Sequence, residues 1–331
     1  MTIQKRRIPG TELDVSVICM GTGEIGSSVS QDDSFRLFDS MAENGGNFID
    51  TAKDYGDWVP DIERSASEKV VGRWLESRGA RKQIVVATKG CMPDAETTPN
   101  NRCAPHTIRR HIEWSQNTLR VDTIDIWYVH KDDPACSMED MLDTLHGAQR
   151  EGRIRHYALS NASLQRVQEA QAIAARKRYD GFIGVQGLWN PAVLCKFPYG
   201  DPQVAYMNSP RYAYHASAKL PWFAFQATAF GLFHRMAANT LDSMNPGFRS
   251  IYHIQKSKRR YEALQRVARS HGAGLTETVL SYIYSNPDFA SFPIVGSHKP
   301  QQVIDNFSSS DLILSPDEIT AINSDISFEL E

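Results

Sequence analysis

The stretch NFIDTAKDY, residues 47–55, ends a short apolar strand on a carboxylate, Asp50, and places Tyr55 on the segment that follows. Two other apolar runs end on an ionisable residue in the same way: IVVAT stops at Lys89, and IDIWYV stops at His130. If these strands are parallel, their carboxyl ends lie on one face of the fold. We therefore expect Asp50, Lys89 and His130 to converge there, with Tyr55 on the adjoining loop.

Strand-like and helix-like segments alternate along the rest of the chain. A hairpin with Pro9 and Gly10 at its turn comes first, and a helix after Pro300 lies near the end. Eight strand–helix units in 331 residues, with no linker or shift in composition, predict a single (β/α)8 TIM barrel domain over residues 1–331. Segments 188–219 and 228–258 are expected to be long irregular loops on the C-terminal face.

A glycine run follows the first buried strand: residues 21–26 read GTGEIG, a literal G-x-G-x-x-G. A dinucleotide-binding turn needs a helix that begins at the third glycine, but SSVSQDD follows here, so the first helix is predicted to start after Asp32 or Asp33. A Rossmann turn is therefore the weaker interpretation. Further along, Ser65 and Glu68 have the spacing of a capping box for the second helix.

The composition indicates a globular protein that acts on small molecules. The formal net charge is -3 and basic residues are scattered among acidic ones, which argues against nucleic-acid and membrane-surface partners. No run reaches transmembrane length and no apolar segment follows the basic N-terminus, so a cytoplasmic location is expected. The cysteines number five and lack C-x-x-C spacing, which indicates neither a disulfide framework nor a zinc site. Oligomeric state stays open.

The residues at the strand ends suit proton donation to a carbonyl oxygen. A free tyrosine has a pKa near ~10, so Tyr55 needs a neighbouring cation, for which Lys89 is the candidate. Asp50 would hold Lys89 charged and oriented, and His130 would donate a further hydrogen bond to the carbonyl. Each residue alone is better explained by a structural role, but the common placement of all four at strand ends favours chemistry. No nucleophile triad and no metal-binding cluster is apparent nearby.

Later strands offer candidate contacts for a hydride donor. Ser160 and Asn161 end the fifth strand and Gln186 ends the sixth, which supplies the donors and acceptors that a nicotinamide carboxamide requires. Phe225, near the end of the seventh strand, could stack on the ring. Residues 296–300, GSHKP, lead into a helix whose free backbone N–H groups would face an anion. Ser-Asn as a helix cap and HKPQQ as a solvated helix start are the structural alternatives.

With these residues in place, the chain resembles the aldo-keto reductase superfamily from about residue 18 to 324. The resemblance rests on DTAKDYG, VVATKG, DIWYVHKDD and GRIRHYALSN, and on a final G-x-H-x-x-x-Q-x-x-x-N pattern. It implies NAD(P)H-dependent reduction of an aldehyde or ketone, which could be a sugar or polyol carbonyl. In that scheme Tyr55 is the general acid, Lys89 and Asp50 tune it, and His130 orients the carbonyl.

The resemblance also implies a cofactor site, with NADP(H) preferred and NAD(H) as the alternative. The residues implied are Gly21, Thr22, Ser160, Asn161, Gln186, Phe225, Gln226, Gly296, Ser297, His298, Lys299, Gln302 and Asn306. His298 stands where the family usually has arginine, and Gln226 stands where it usually has serine. Aromatic residues expected to line a pocket for an apolar or sugar-ring substrate are Trp58, Trp189, Phe230, Phe248 and Tyr252.

Two other functions are weighed against this one. Tyr252 and Lys256 have the Y-x-x-x-K spacing of a short-chain dehydrogenase, although they fall in a predicted loop after the seventh strand. The chain could also be a cofactor-binding regulatory subunit that acts by docking and turns over little substrate, as the potassium-channel β-subunit relatives do.

Overall fold

Eight parallel strands close into a barrel in the computed structural model, which describes residues 3–93 and 101–323. The described strands are β1 (Lys5–Arg7), β2 (Asp14–Ser16), β3 (Cys19–Gly21), β4 (Phe48–Asp50), β5 (Val85–Gly90), β6 (Ile124–Val129), β7 (Ile154–Ser160), β8 (Val185–Leu188), β9 (Trp222–Phe225) and β10 (Ser291–Val295). Strands β3 to β10 follow one another around the barrel, and β10 pairs back with β3. The predicted (β/α)8 TIM barrel is confirmed.

Helices alternate with these strands and form the outer layer. They are α1 (Gln31–Glu43), α2 (Ala66–Arg78), α3 (Pro105–Leu119), α4 (Met138–Arg150), α5 (Leu164–Lys177), α6 (Ser209–Ala218), α7 (Leu232–Ala237), α8 (Pro246–Arg249), α9 (Ile254–His271), α10 (Leu275–Tyr284), α11 (Pro300–Ser308) and α12 (Pro316–Asn323). Across the described ranges, none of these helices combines the length and the apolar character that crossing a membrane requires.

Helix α1 begins earlier than predicted. Its N-cap is Ser30, whose hydroxyl accepts a hydrogen bond from the backbone N–H of Asp33 at 3.2 Å, so Asp32 and Asp33 lie inside the first turn. A predicted start after either aspartate is therefore wrong, because the serine satisfies the free N–H groups first. The glycine run ends at Gly26, several residues before the helix, so the strand–turn–helix geometry of a Rossmann turn is not formed.

The N-terminal hairpin closes the lower end of the barrel. Strands β1 and β2 pair antiparallel, which confirms the predicted hairpin. Its apolar residues join the cluster that fills the barrel interior: Ile8, Leu13, Val15, Cys19, Phe48, Ala87, Ile126, Tyr128, Ala158, Ile183, Phe223, Phe292 and Ile294. The Phe223 and Phe292 rings stack there with centroids 5.3 Å apart. Because the interior of the described barrel is packed, we expect the open site at the carboxyl ends of the strands.

The two long segments on that face contain more regular structure than predicted. Helix α6 lies within residues 188–219, where Asn208 caps it and a proline occupies its first turn. Helices α7 and α8 lie within residues 228–258. The segments are joined by hydrogen bonds from the Cys195 N–H to the Ile251 carbonyl and from the His253 N–H to the Val193 carbonyl, both 2.8 Å. They therefore form one connected layer beside the barrel mouth.

Candidate active site

Strand pairing places the ionisable residues at one end of the barrel. Asp50 ends β4 and pairs in register with Gly21 of β3, while Lys89 of β5 pairs with Tyr128 of β6. His130 follows β6 directly, and its N–H donates to the Gly90 carbonyl at 2.7 Å, which continues the β5–β6 ladder. The expected convergence of these strand ends is present in the structure.

The side chain of Lys89 links Asp50 and Tyr55. Its Nζ lies 2.6 Å from Asp50 Oδ2, 2.8 Å from the Thr51 carbonyl and 2.9 Å from the Tyr55 hydroxyl. An ammonium group has three donors, so these contacts use all of them. The ammonium group is thereby fixed against the phenol oxygen.

Burial determines the protonation states in this cluster. Lys89 is fully buried, and burial lowers its pKa; the charges and hydrogen bonds of Asp50 and Tyr55 together outweigh that effect, so the net pKa is raised. Burial likewise raises the pKa of Tyr55 above its ordinary value, and the charge of Lys89 offsets only part of the increase. Lys89 thus lowers the pKa of Tyr55, as expected. This effect is smaller than that of burial, since Asp50 already neutralises the lysine charge. Tyr55 holds its proton at neutral pH.

His130 completes the group. Its ring lies edge-on to Tyr55, with centroids 5.8 Å apart and planes at 75°. Its Nδ1 lies 2.8 Å from Oδ1 of Asp54, the residue before Tyr55. The structure therefore brings the four predicted catalytic residues into one cluster and adds a second carboxylate to it.

Two residues predicted to hold a carboxamide contact this cluster directly. Gln186 Nε2 donates to Asp50 Oδ1 at 2.9 Å, across the barrel from β8 to β4. The Asn161 side chain donates to the His130 carbonyl at 3.0 Å and accepts from the Ala205 N–H at 3.2 Å. In this structure both amides therefore brace the ends of the strands.

Ser160 differs from its neighbours. Its Oγ is buried and has no hydrogen-bond partner among the described residues, although it lies at the mouth end of β7. A buried hydroxyl left unpaired is costly, and a missing polar ligand is one explanation for it. Phe225 is half-buried at the end of β9, and Gln226 follows with a left-handed φ of 53°. Ser160 and Phe225 therefore present a polar atom and a ring at the barrel mouth.

The remaining residues of the predicted cofactor set stabilise loops. The Thr22 hydroxyl donates to the Asp50 carbonyl at 3.0 Å, and at Gly21 a Cβ would lie 2.9 Å from the Ile294 side chain. After β10, Gln302 Oε1 accepts from the N–H groups of residues 298 and 299. Asn306 donates to Ser297 Oγ at 3.1 Å. A Cβ at Gly296 would meet nothing within 4 Å, so the loop faces open space there.

His298 is already paired. Its Nε2 contacts the carboxylate of Glu24, which comes from the loop after β3. Both side chains are more than half exposed, so the pair contributes little to stability. An acidic side chain therefore lies where the sequence predicts an anion site, and sequence reasoning gave no reason to expect it.

The predicted pocket aromatics fall into separate groups. Trp58 is 59% exposed and its ring centroid lies 5.9 Å from that of Tyr55. Phe230 and Phe248 stack with centroids 4.0 Å apart on the layer formed by the long segments. Trp189 and Tyr252 are instead buried in the outer core, where Trp189 packs against Tyr282 and Phe289.

The short-chain dehydrogenase alternative is wrong. Its fold is an open doubly wound sheet, whereas the described strands close into a barrel. Tyr252 is buried with its hydroxyl near the Asn190 amide, and burial raises its pKa.

The predicted capping box at α2 is also wrong. Ser65 has a left-handed φ of 57° and its side chain does not cap the helix. Glu68 is fully buried and accepts hydrogen bonds from the hydroxyls of Thr88 and Thr118, both at 2.6 Å. Burial raises the pKa of Glu68, and those hydrogen bonds offset only part of the increase. The carboxyl group thus joins α2, β5 and α3 behind the active site.

Comparison with known proteins agrees with this geometry. The model of the aldo/keto reductase family matches residues 17–326. An aryl-alcohol dehydrogenase [NADP(+)] from Phanerodontia chrysosporium is 27% identical, over 97% of this chain and 85% of its own length. A norsolorinic acid reductase from Emericella nidulans is 28% identical, over 97% and 81% respectively. A probable aryl-alcohol dehydrogenase from Saccharomyces cerevisiae is 29% identical, over 92% and 90%. The family match spans nearly the whole chain, so this protein belongs to the aldo/keto reductase family.

Proposed function

We propose that this protein is an NADP(H)-dependent reductase that converts an aldehyde or ketone to the alcohol, with Tyr55 as the general acid. The observation that carries the proposal is the contact of Lys89 Nζ with both Tyr55 and Asp50. Oxidoreductase names among the relatives support an enzyme of this class, and one relative is named for NADP(+).

Tyr55 supplies the proton. Burial keeps its hydroxyl protonated, and the Lys89 ammonium 2.9 Å away stabilises the phenolate that forms when the proton leaves. Asp50 keeps Lys89 charged, and Gln186 holds Asp50 through its second carboxylate oxygen. His130, edge-on to Tyr55, supplies the second hydrogen bond to the substrate oxygen.

The residues at the barrel mouth fit a nicotinamide cofactor, which when bound supplies the hydride. Ser160 Oγ is a buried hydroxyl without a partner in the described chain, so it is available to hydrogen-bond the nicotinamide carboxamide. Phe225 would stack on the ring, and the loop around Gly296, Ser297 and Lys299 would hold phosphate. Asn161, Gln302 and Asn306 act on this site through the loops they brace.

We propose an aryl aldehyde or ketone as the substrate class. Trp58 is exposed at the rim and lies edge-on to Tyr55, so a flat apolar substrate could stack on it while its oxygen reaches the phenol. The names of the aryl-alcohol dehydrogenase relatives point to the same class. Phe230 and Phe248 extend the apolar rim, whereas the buried Trp189 and Tyr252 are left out of this lining.

A substrate panel tests the proposal. The purified protein is mixed with NADPH or NADH and with aryl aldehydes, aliphatic ketones and aldoses, and oxidation of the cofactor is followed. Turnover that is highest with NADPH and an aryl carbonyl is the expected result. If NADPH binds but no carbonyl compound is reduced, the protein acts by docking as a regulatory subunit and the proposed reductase activity is wrong.

A further inference from the structure

A carboxylate outside the predicted catalytic group contacts His130. Asp54 Oδ1 lies 2.8 Å from His130 Nδ1, and the side chains are only 20% and 12% exposed. A polar pair this shielded from water interacts more strongly than an exposed one. The contact lies between the loop after β4 and the end of β6, beside Tyr55.

The backbone holds Asp54 in place. The N–H of Lys53 donates to the Lys89 carbonyl at 2.9 Å, which ties the loop to β5. The N–H of Asp57 donates to the Asp54 carbonyl at 3.1 Å, and that of Tyr55 donates to Ala52 at 3.2 Å. Asp54 and Tyr55 thus belong to one tight turn, so the carboxylate and the phenol have a fixed spacing.

The contact decides which nitrogen of the His130 ring carries a proton. Burial raises the pKa of Asp54, but the charge and hydrogen bond of His130, together with the charge of Lys89 and a backbone hydrogen bond, lower it by more, so the net pKa lies below the ordinary value. An ionised carboxylate only accepts hydrogen bonds, so Nδ1 must be the donor. Nε2 has no hydrogen bond among the described residues. It is then unprotonated, and an acceptor, in the neutral ring and a donor in the charged ring.

Other charges near the ring are already paired. Lys89 is neutralised by Asp50 at 2.6 Å. On the segment that carries His130, Lys131 pairs with Asp201 at 2.5 Å and Asp132 pairs with Arg166 at 2.9 Å. Asp133 lies 4.0 Å from Arg102. The uncharged Tyr55 faces the ring from the other side, so Asp54 is the carboxylate in direct contact with it.

From this geometry we infer that Asp54 is a positioning residue, which fixes the His130 ring with Nδ1 protonated and Nε2 directed to the substrate oxygen. The charged ring donates from Nε2 to a carbonyl oxygen, and the neutral ring accepts there from an alcohol hydroxyl. One residue can then serve both directions of the reaction. This inference rests on the proposed reductase function for its catalytic part, but the tautomer belongs to the free protein.

Nitrogen NMR tests the tautomer without any cofactor. The protein contains ten histidines. With ¹⁵N-labelled histidine, the His130 signals are assigned by their absence from His130→Gln. At a pH where the ring is neutral, we expect Nδ1 to carry the proton in the wild type. In Asp54→Ala, we expect the proton to move mainly to Nε2, as in a free imidazole. An Nε2–H tautomer in the wild type, or no change in Asp54→Ala, would overturn the inference.

Kinetics test the positioning role. Asp54→Ala should lower kcat roughly ten- to a hundredfold, a general acid–base scale, while NADPH affinity measured by fluorescence stays unchanged. Asp54→Asn keeps an acceptor for Nδ1–H without the charge, so it should recover part of that loss. The matched control is Asp57→Asn in the same loop, where Asp57 Oδ1 accepts from the Ser65 N–H at 2.8 Å. It should leave the tautomer and kcat unchanged.

The outcomes separate the two proposals. A wild-type Nδ1–H tautomer together with unchanged kcat in Asp54→Ala would overturn the positioning role alone. A wild type that reduces no carbonyl compound would overturn the proposed function, while the NMR result would still report the tautomer. Equal loss of kcat in Asp57→Asn and Asp54→Ala would assign the effect to the loop and not to the carboxylate.

Discussion

Lys89 and Asp50 form an ion pair in which both side chains are almost fully buried, with Nζ 2.6 Å from Oδ2. Removing one partner leaves an uncompensated buried charge, which typically costs about 3–5 kcal/mol. We expect Lys89→Met to lower the free energy of unfolding in urea by about that amount, and Asp50→Asn/Lys89→Met to lower it by less.

The control for that pair is Lys69→Met, because Lys69 pairs with Glu63 at 2.9 Å on a partly exposed surface. Exposed pairs contribute about 0–1 kcal/mol, so this variant should unfold almost like the wild type. If Lys89→Met were no more destabilising than Lys69→Met, the buried pair would not matter for stability.

Tyr55→Phe removes the hydroxyl that contacts Lys89 and keeps the ring. We expect kcat for carbonyl reduction to fall about a hundredfold or more, the scale of a lost general acid. NADPH affinity should stay nearly the same, since the ring is retained. The matched variant is Tyr261→Phe on α9, whose hydroxyl bonds only a neighbouring glutamine among the contacts described, 2.7 Å away. A Tyr55→Phe enzyme with wild-type kcat would rule out Tyr55 as the acid.

Glu24 is predicted to weaken binding of the cofactor phosphates, because its carboxylate contacts His298 on the proposed phosphate loop. In Glu24→Gln the like-charge repulsion is gone and His298 is released. We expect NADPH to bind severalfold more tightly, about 0.5–1 kcal/mol, and NADH to change less. Fluorescence titration measures both affinities. Glu43→Gln, which removes one charge from the exposed end of α1, controls for net charge. Equal affinity of the wild type for NADH and NADPH would count against a 2′-phosphate contact by His298 and Lys299.

Alanine substitution should change substrate binding at Trp58 and protein stability at Trp189. Trp58 is 59% exposed beside Tyr55, so Trp58→Ala should raise the KM for aryl substrates with little change in stability. Trp189 is 4% exposed in the core, so Trp189→Ala should cost about 3–5 kcal/mol of stability. Substrate kinetics and urea unfolding separate the two effects. An unchanged KM for every substrate in Trp58→Ala would remove Trp58 from the proposed pocket.

Glu68 should make stability depend on pH. Burial raises the pKa of the Glu68 carboxyl group in the folded state. The protonated group therefore stabilises the fold fully below the unfolded-state pKa, and this stabilisation is lost as pH rises through the folded-state pKa. We therefore expect the difference in Tm between Glu68→Gln and the wild type to shift in favour of the variant as pH rises above 4.5, the ordinary pKa of a glutamate. Glu63 is half-exposed and its pKa is lowered by the hydrogen bond from Lys69, so its effect on stability has the opposite pH dependence. Its contribution to the free energy of unfolding is lost as pH falls. A pH-independent difference for Glu68→Gln would show that its ionisation is not shifted.

Much of the fold could be predicted because burial on both faces of parallel strands leaves long apolar runs in the sequence. The end of each run is then visible as an ionisable residue, which is why Asp50, Lys89 and His130 could be placed together. Features set by contacts distant in the chain could not be predicted this way. Glu68 has capping-box spacing but is drawn into a buried hydroxyl network, and α6 has a single fully buried residue, His215, so it offers little apolar pattern by which to identify it.

Asp54 and Glu24 were missed for a related reason. Each is an acidic residue in a loop, and acidic loop residues are common on any protein surface. Their partners, His130 and His298, lie far away in sequence and meet them only when the barrel closes. Ser160 itself could be predicted, but its lack of a hydrogen-bond partner among the described residues depends on the folded structure.

The hairpin of β1 and β2 closes the lower end of the barrel, and the rings of Phe48, Phe223 and Phe292 occupy the space above it. Among the described residues, this packing separates Tyr55 from the lower end of the barrel, and the mouth is the side open to bulk water. In the proposed reduction, a proton given up by the phenol would be replaced through the same opening by which the substrate enters and the alcohol departs, so re-protonation of the enzyme and product release would share one route.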